Sequence, residues 1–565
     1  MKQGQEEIEI LWRSGRTIEQ GGYPGLRPGT SIEDGILIER DVAVAMRDGV
    51  RIRIDVYRPQ GDAHAADKVP GIIAWSPYGK HETGPAVFDR YPNRTCVPPG
   101  VPGRWAKFEA PDPSYWCRHG YAVINPDPRG AFMSEGDLYT IGGKEAEDMH
   151  DLIEWIGVQP WCNGRVGMSG NSWLAQCQWY AAATRPPHLA AIAPWEGWSD
   201  LYRENVALGG ITTEPTNWID FVWSGLLFTR TRIEDCPGMA NKYPLWNAYW
   251  EEKQAKHALT QVPAYIVASW NSRLHSRGSF EGFKQLGSKD KWLRIHDGWE
   301  WPDYYTPENV EDLRRFFDRY LRGLDNGWEN TPRVRVAIMD QPRDKPSTTY
   351  RSETEWPLAR TVHEPLYLDA ASNSMSRKPA ASASSVAYHA TEGETSFDFT
   401  FDHDTELTGH MSLRLWVEAR GGKDGGEAPS DMDLFVVAQK IGRDGRRVDF
   451  RTYGIGWLAE PARGFLRVSH RELDPVRSRP GQPWHTHTRE QLLAPGEIVP
   501  VDIEFWPMGC LWHAGETIRV LVSGHPILHV GDPVTGEPLR PTRNRGEHVL
   551  WTGGRYDARL LIPKV

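Results

Sequence analysis

Val166-Gly167-Met168-Ser169-Gly170-Asn171-Ser172-Trp173-Leu174-Ala175 is the stretch around which the rest of the chain is organised. An apolar stub at 165–168 runs into small residues and then into a helical pattern over 172–183. A strand that turns sharply into a helix lifts one side chain above the end of a sheet, and small neighbours let the backbone pass close to itself. Gly170-Asn171-Ser172 supplies the first half of the nucleophile-elbow pattern G-x-S-x-G. Leu174 stands where the second Gly would be, and the small Ala175 comes one residue late. Ser is also a favoured helix N-cap and Gly a common punctuator, so the stretch by itself equally admits a plain strand–helix turn.

The flanking sequence repeats the same unit. Short apolar runs at 69–75, 121–125, 189–193, 263–269 and 291–295 have the length and composition of buried strands. Helical spacing covers 145–156 and 306–321. Alternation of this kind predicts a mostly parallel sheet covered on both faces, with functional residues at the carboxyl ends of the strands. Tyr78, Asp127, Ser172, Glu196, Ser272 and His296 all fall at such ends. A hairpin signal around Arg47-Asp48-Gly49 adds antiparallel strands over 38–57, and residues 82–113, rich in Pro and Gly, predict a long loop. Residues 198–262 interrupt the alternation with an aromatic, helix-like segment (Trp218, Phe221, Trp223, Trp246, Trp250) that predicts a cap over the sheet. Beyond about 340 short strand-like stretches separated by Gly, Pro and Asp predict an all-β jelly-roll sandwich. The organisation is therefore an irregular arm at 1–36, an α/β domain at 37–197 and 263–340, a helical cap at 198–262 and a β jelly-roll domain at 345–565.

Bulk properties narrow the function. The chain has 565 residues, long enough for two or three domains, and a net charge of −10 with no basic patch, which argues against nucleic acid as a partner. Its six Cys have no paired spacing and read as reduced thiols or core residues. The 26 Trp point to aromatic pockets or to core filling. No apolar run reaches membrane length, and Met1-Lys2-Gln3-Gly4-Gln5-Glu6-Glu7 is not a signal peptide, so the expectation is a cytoplasmic protein with no membrane partner and no cofactor. A homo-oligomer is compatible with the sequence. His485-Thr486-His487 alternates, so both imidazoles could share a strand face, but no third ligand stands at usable spacing and no metal site is assigned.

Together, Met46-Arg47-Asp48-Gly49-Val50, Tyr57-Arg58-Pro59, Pro77-Tyr78, Asp127-Pro128-Arg129-Gly130, Ser134-Glu135-Gly136, Glu154-Trp155, Gln159-Pro160-Trp161, residues 167–173 and Asp200-Leu201-Tyr202-Arg203 resemble the cocaine-esterase-like and X-prolyl-dipeptidyl-peptidase-like branch of the α/β-hydrolases. The resemblance runs over roughly 37–563. It implies Ser172 as the nucleophile, an oxyanion hole from the Tyr78 hydroxyl and the Trp173 backbone N–H, and attack on an ester or amide carbonyl through an acyl-enzyme. The alternative for Tyr78 is a strand-end core aromatic.

Two stretches depart from the family pattern. An Asp usually follows the strand that here ends at Trp270, where this chain has Asn271-Ser272. Gly-Pro-Trp-x-His usually follows the next strand, where this chain reads His296-Asp297-Gly298-Trp299-Glu300-Trp301. His296 is then the expected base, with His275 the runner-up. Glu196 is the expected acid, because it keeps the chain order Ser, acid, His; a cap-start carboxylate pairing with Arg203 is its alternative. Asp297, Glu300 and Asp303 are weaker acid candidates, Ser169 reads as a packing residue, and Asp127 with Arg129 reads as an internal ion pair. The leading function is a serine carboxylic-ester hydrolase acting on a small-molecule ester, with an amide or peptide substrate as the variant. The alternatives are an acyl transferase, a lyase or a non-hydrolytic relative that has lost the usual Asp, or a carbohydrate-binding protein built on the β domain.

Overall fold

The structure is a computed structural model and describes residues 8–15, 25–60, 68–212, 228–229, 231–272, 274–341, 347–422, 426–452, 457–459, 462–527 and 542–565. Its centre is a nine-stranded sheet. The strands are β1 (Ile36–Ala45), β2 (Arg51–Pro59), β3 (Val69–Ile73), β4 (Ala122–Asp127), β5 (Cys162–Asn171), β6 (Leu189–Trp195), β7 (Ala264–Ser269), β8 (Lys291–His296) and β9 (Val334–Asp340). They lie in the order 1-2-4-3-5-6-7-8-9, parallel from β4 to β9 and antiparallel at β1 and β2. Every residue of β3, β4 and β7 is buried, as a strand covered on both faces requires. The covering helices are α1 (Gly143–Gly157) and α2 (Trp173–Ala183), which pack together, then α3 (Ser276–Gln285), α4 (Glu300–Tyr305) and α5 (Pro307–Leu321), the last packed on β5 and β6. Register aligns the functional ends: Asn171 opposes Trp195, Trp195 opposes Val267, and Ser269 opposes His296. The elbow, Glu196 and His296 therefore stand at one edge of the sheet.

The arm is not wholly irregular. Gly29–Glu33 pairs with β1, and Trp12–Ser14 pairs with Arg232–Glu234 from the cap. The described part of the cap is mixed rather than helical. It contains a π-helical turn at Tyr202–Val206, short strands at Ala207–Leu208 and Ile211–Thr212, short α-helices at Cys236–Lys242 and Ala248–Glu252, and a 3-10 turn at His257–Leu259. Gly209-Gly210, Pro237 and Pro244 cut the sequence into pieces too short for long helices. Trp218, Phe221 and Trp223 lie outside the described residues.

The C-terminal region is built from antiparallel ladders, as the strand-like stretches predict. β10 (Thr405–Arg420) pairs with β12 (Val499–Trp512), β14 (Glu547–Thr552) and β15 (Arg559–Lys564); β11 (Asp433–Ile441) pairs with β13 (Thr517–Ser523). Trp75, Trp173, Trp195, Trp198, Trp292 and Trp328 are fully buried, so much of the Trp excess fills cores.

Cap and β domain meet backbone to backbone. Gly209 has φ +58°, its carbonyl accepts the Arg467 N–H at 2.8 Å, and an added Cβ would lie 2.0 Å from the Phe465 carbonyl oxygen. Gly209→Ala therefore combines a left-handed backbone with a clash against main chain. It should cost about 1–3 kcal/mol, read as a lower urea midpoint at unchanged m-value. An unchanged midpoint would mean that this approach contributes nothing to stability.

Candidate active site

Ser172 joins β5 to α2 with φ 55° and ψ −120°, a conformation that a non-glycine residue adopts only when its surroundings impose it. Two interactions impose it here. The Ser172 N–H donates to the Glu196 carbonyl at 3.0 Å, and the Asn171 N–H donates to the Glu109 carbonyl at 3.1 Å. Small neighbours are required where the backbones cross: a Cβ on Gly170 would lie 2.4 Å from Leu174 Cβ, and one on Gly197 would lie 3.0 Å from Ala175 Cβ. The small residue that the motif seemed to place one position late thus faces Gly197. Ser172 is 3% exposed, and among the described residues its hydroxyl makes no hydrogen bond.

Tyr78 and the N-terminus of α2 lie beside this turn. The first N–H groups of a helix point outward from its N-terminus rather than into its own ladder, which aims the Trp173 N–H at the elbow. Tyr78 leaves the end of β3, sets its ring edge-on to Phe108 at 5.1 Å, and brings its hydroxyl against the Glu109 carboxyl. Glu109 is buried and accepts the Trp301 indole N–H at 2.8 Å. Burial, opposed by those two hydrogen bonds, pushes its carboxyl up to about 8. Neither Glu109 nor its link to Tyr78 is expected from the sequence.

Glu196 and His296 are brought together. His296 Nε2 lies 2.7 Å from Glu196 Oε1, across the small Ser269 of β7. The other ring nitrogen, Nδ1, faces Asp303 Oδ1 at 3.6 Å, and Asp303 is itself held by Arg294 at 2.9 Å. Burial works against charge on this imidazole, but Asp303 and Glu196 outweigh it and hold His296 above its ordinary range. The ring thus lies between two carboxylates.

A second histidine–carboxylate pair comes from the two loops that depart from the family pattern. His275, fully buried at the start of α3, has Nε2 3.5 Å from Glu300 Oε2 at the start of α4. Burial drives His275 down to about 3 and, with the neighbouring Glu196 and Glu109 charges, drives Glu300 well above the carboxylate range. A cavity of ≈ 10 Å³, about one water-sized sphere, is lined by Glu196, Ser272, Trp299, Glu300 and Trp301 among others. Ser272 is occupied locally, with its Oγ accepting the His275 N–H at 3.1 Å, and Asn271 donates to the Asp297 carbonyl at 2.6 Å.

Other candidates fall elsewhere. Ser169 meets the Tyr304 hydroxyl at 2.8 Å, packed against α4. Asp127 and Arg129 are not paired with each other. Asp127 takes the Lys80 N–H and His81, while Arg129 binds Asp148 at 2.6 Å and Asp48 at 2.9 Å, because β4 and the following turn point the two side chains to different neighbours. Arg203 pairs with Asp200 at 2.9 Å, leaving Glu196 to His296. His485 and His487 lie away from the elbow, with His487 Nδ1 3.0 Å from His470 Nδ1. Among the described residues, no three His, Cys, Asp or Glu groups are arranged to hold a metal. No helix among them is long and apolar enough to cross a membrane, and all six cysteines are free.

Residues 48–235 match the X-Pro dipeptidyl-peptidase (S15) family, and residues 326–561 match the X-Pro dipeptidyl-peptidase C-terminal non-catalytic domain. Cocaine esterase from Rhodococcus sp. is 28% identical over 394 residues, 60% of this chain and 63% of that protein. An Xaa-Pro dipeptidyl-peptidase from Ligilactobacillus salivarius is 24% identical over 47% of this chain and 37% of its own length. The crystal structure of a CocE/NonD family hydrolase from Staphylococcus aureus superposes with a TM-score of 0.88 at 35% identity, covering 100% of both chains. An α-amino acid ester hydrolase shares the fold at a TM-score of 0.68 and 15% identity, over 96% of this chain and 99% of its own.

Proposed function

Because the chain belongs to the CocE/NonD family of hydrolases, we propose that it cleaves a carboxylic ester, with an amide as the variant substrate, through an acyl-enzyme on Ser172. The observation that carries this reading is the strained, buried Ser172 at the carboxyl end of β5, with Tyr78 and the N-terminus of α2 beside it. Attack by Ser172 Oγ on the substrate carbonyl moves charge onto the carbonyl oxygen. The Tyr78 hydroxyl and the Trp173 N–H are donors fixed before that charge develops, in a site largely closed to water. Similarity to both an esterase and dipeptidyl-peptidases supports acyl transfer to water as the shared chemistry and leaves the leaving group, alkoxide or amine, to be assigned by assay.

Intact-mass analysis after treatment with a fluorophosphonate tests the nucleophile. One adduct is expected, and peptide mapping should place it on Ser172. An adduct on Ser169, or none at all, would overturn the reading. Turnover of p-nitrophenyl acyl esters of graded chain length, beside matched aryl amides, then separates esterase from amidase. Acyl transfer to an added alcohol in preference to water would instead support the transferase.

A further inference from the structure

The sheet presents two histidine–carboxylate pairs near one nucleophile, and their surroundings differ. His296 has a carboxylate at each ring nitrogen, Glu196 at 2.7 Å and Asp303 at 3.6 Å. In that setting its charged form is favoured, and a charged imidazole has no lone pair with which to take a proton from serine. His275 has one carboxylate, at 3.5 Å, and neither of its ring nitrogens makes a hydrogen bond. Both oxygens of Glu300 are likewise buried without a hydrogen bond. Buried polar atoms are nearly always satisfied, and four of them without a protein partner on two facing side chains leave both groups free to engage a third. Catalytic hydrogen bonds are often long before substrate binds, and 3.5 Å fits that state.

Their place in the fold supplies the rest. Gly197, just past Glu196, donates its N–H to Ser279 Oγ of α3, which brings the start of that helix beside the elbow. Trp173, next to the nucleophile, packs edge-on against Trp198 at 5.7 Å, and Trp198 packs against His275 at 6.1 Å. Glu300 lies within electrostatic reach of Glu196 and Glu109, the two residues whose carbonyls anchor the backbone of Ser172 and Asn171.

Resting on the serine-hydrolase reading above, we infer that His275 is the general base for Ser172 and that Glu300 is its positioning residue. Acid and base have then exchanged loops. The usual arrangement has an acid after the seventh strand and a histidine after the eighth; here the histidine follows β7 and the carboxylate follows β8. The steps balance as they do for any acyl-enzyme. His275 Nδ1 takes the Ser172 proton while Oγ bonds to the carbonyl carbon and the C=O electron pair moves to oxygen. Glu300 accepts the Nε2–H of the imidazolium through Oε2. The imidazolium proton then goes to the leaving group as the carbon–heteroatom bond breaks. Water, deprotonated by His275, attacks the acyl-enzyme and releases the acid and free Ser172. Glu196 and His296 form a separate buried pair that steadies the ends of β6 and β8.

The test compares five variants of the full chain on a p-nitrophenyl ester. His275→Gln should lower kcat by about 10⁴–10⁶-fold and Glu300→Gln by about 10⁴-fold, the losses typical of a triad base and its carboxylate. Glu196→Gln and His296→Gln should cost far less. Glu300→Gln should also move the acid limb of the kcat/KM profile to lower pH, because the raised Glu300 carboxyl holds the proton of the pair and Gln leaves only the depressed imidazole to titrate. A purely structural role would leave that limb in place. Added imidazole should restore turnover to His275→Ala, which separates lost chemistry from lost folding. A collapse in His296→Gln or Glu196→Gln with near-native rates in His275→Gln would overturn the inference while sparing the nucleophile. Wild-type protein that neither labels on Ser172 nor turns over ester would overturn the underlying reading instead.

Discussion

Ser172→Ala should lower ester turnover by about 10⁶-fold, the loss seen when a serine hydrolase nucleophile is removed. It should do so without unfolding the protein. The elbow is held by main-chain hydrogen bonds, from the Ser172 N–H to the Glu196 carbonyl and from the Ala175 and Gln176 N–H groups to the Ser172 carbonyl, all of which Ala keeps. Among the described residues the hydroxyl has no hydrogen bond to lose. What Ala does not remove is the strain at φ 55°, which both residues bear alike. Fluorophosphonate labelling should vanish with activity, while far-UV circular dichroism and the melting temperature stay near native. Residual turnover above about one part in 10³ would exceed what an oxyanion hole alone sustains and would require a different nucleophile.

Much of the scaffold is legible in the sequence because buried parallel strands are short, continuous and apolar, and because their carboxyl ends are where a chain can leave the sheet. Val69–Ile73, Leu189–Trp195 and Lys291–His296 each run directly into Tyr78, Glu196 or His296, so position in the alternation alone places those three near the elbow. The meeting of Glu196 with His296 follows from the same rule plus strand order. Glu109 does not follow from it. It sits in the Pro- and Gly-rich stretch that has no periodicity, and its partner Trp301 is 192 residues away. The pairing of His275 with Glu300 is hidden for a related reason, since two loops leaving adjacent strands have no fixed register. The resemblance also hides it, because matching each loop to its usual residue type makes the departures look like losses. Arg129 finds Asp148 on α1 rather than its sequence neighbour, a choice made by side-chain direction that spacing does not encode.

Tyr78→Phe should lower kcat by about 10²–10³-fold, the effect of removing one oxyanion donor. The ring remains against Phe108, and Glu109 retains the Trp301 N–H, so stability should barely change. A parallel loss of stability and activity would make Tyr78 a core aromatic instead. The carboxyl beside it adds a pH dependence whose sign is fixed. Glu109 is pushed up to about 8, so below that pH it is neutral and leaves the Tyr78 hydroxyl available to the oxyanion. Above it, a carboxylate competes for the same hydroxyl and repels the developing negative charge. Turnover should therefore fall as pH rises through about 8. Folding follows the same sign: a carboxyl raised in the native state stabilises fully below its ordinary value of 4.5, and that contribution is lost as pH rises through about 8. Circular dichroism at each pH separates the two effects. Glu109→Gln keeps an acceptor for Trp301 but cannot ionise, and it should flatten the alkaline limb while keeping the plateau near native. A limb that survives in Glu109→Gln would assign the titration to another group and leave Tyr78 without its proposed competitor.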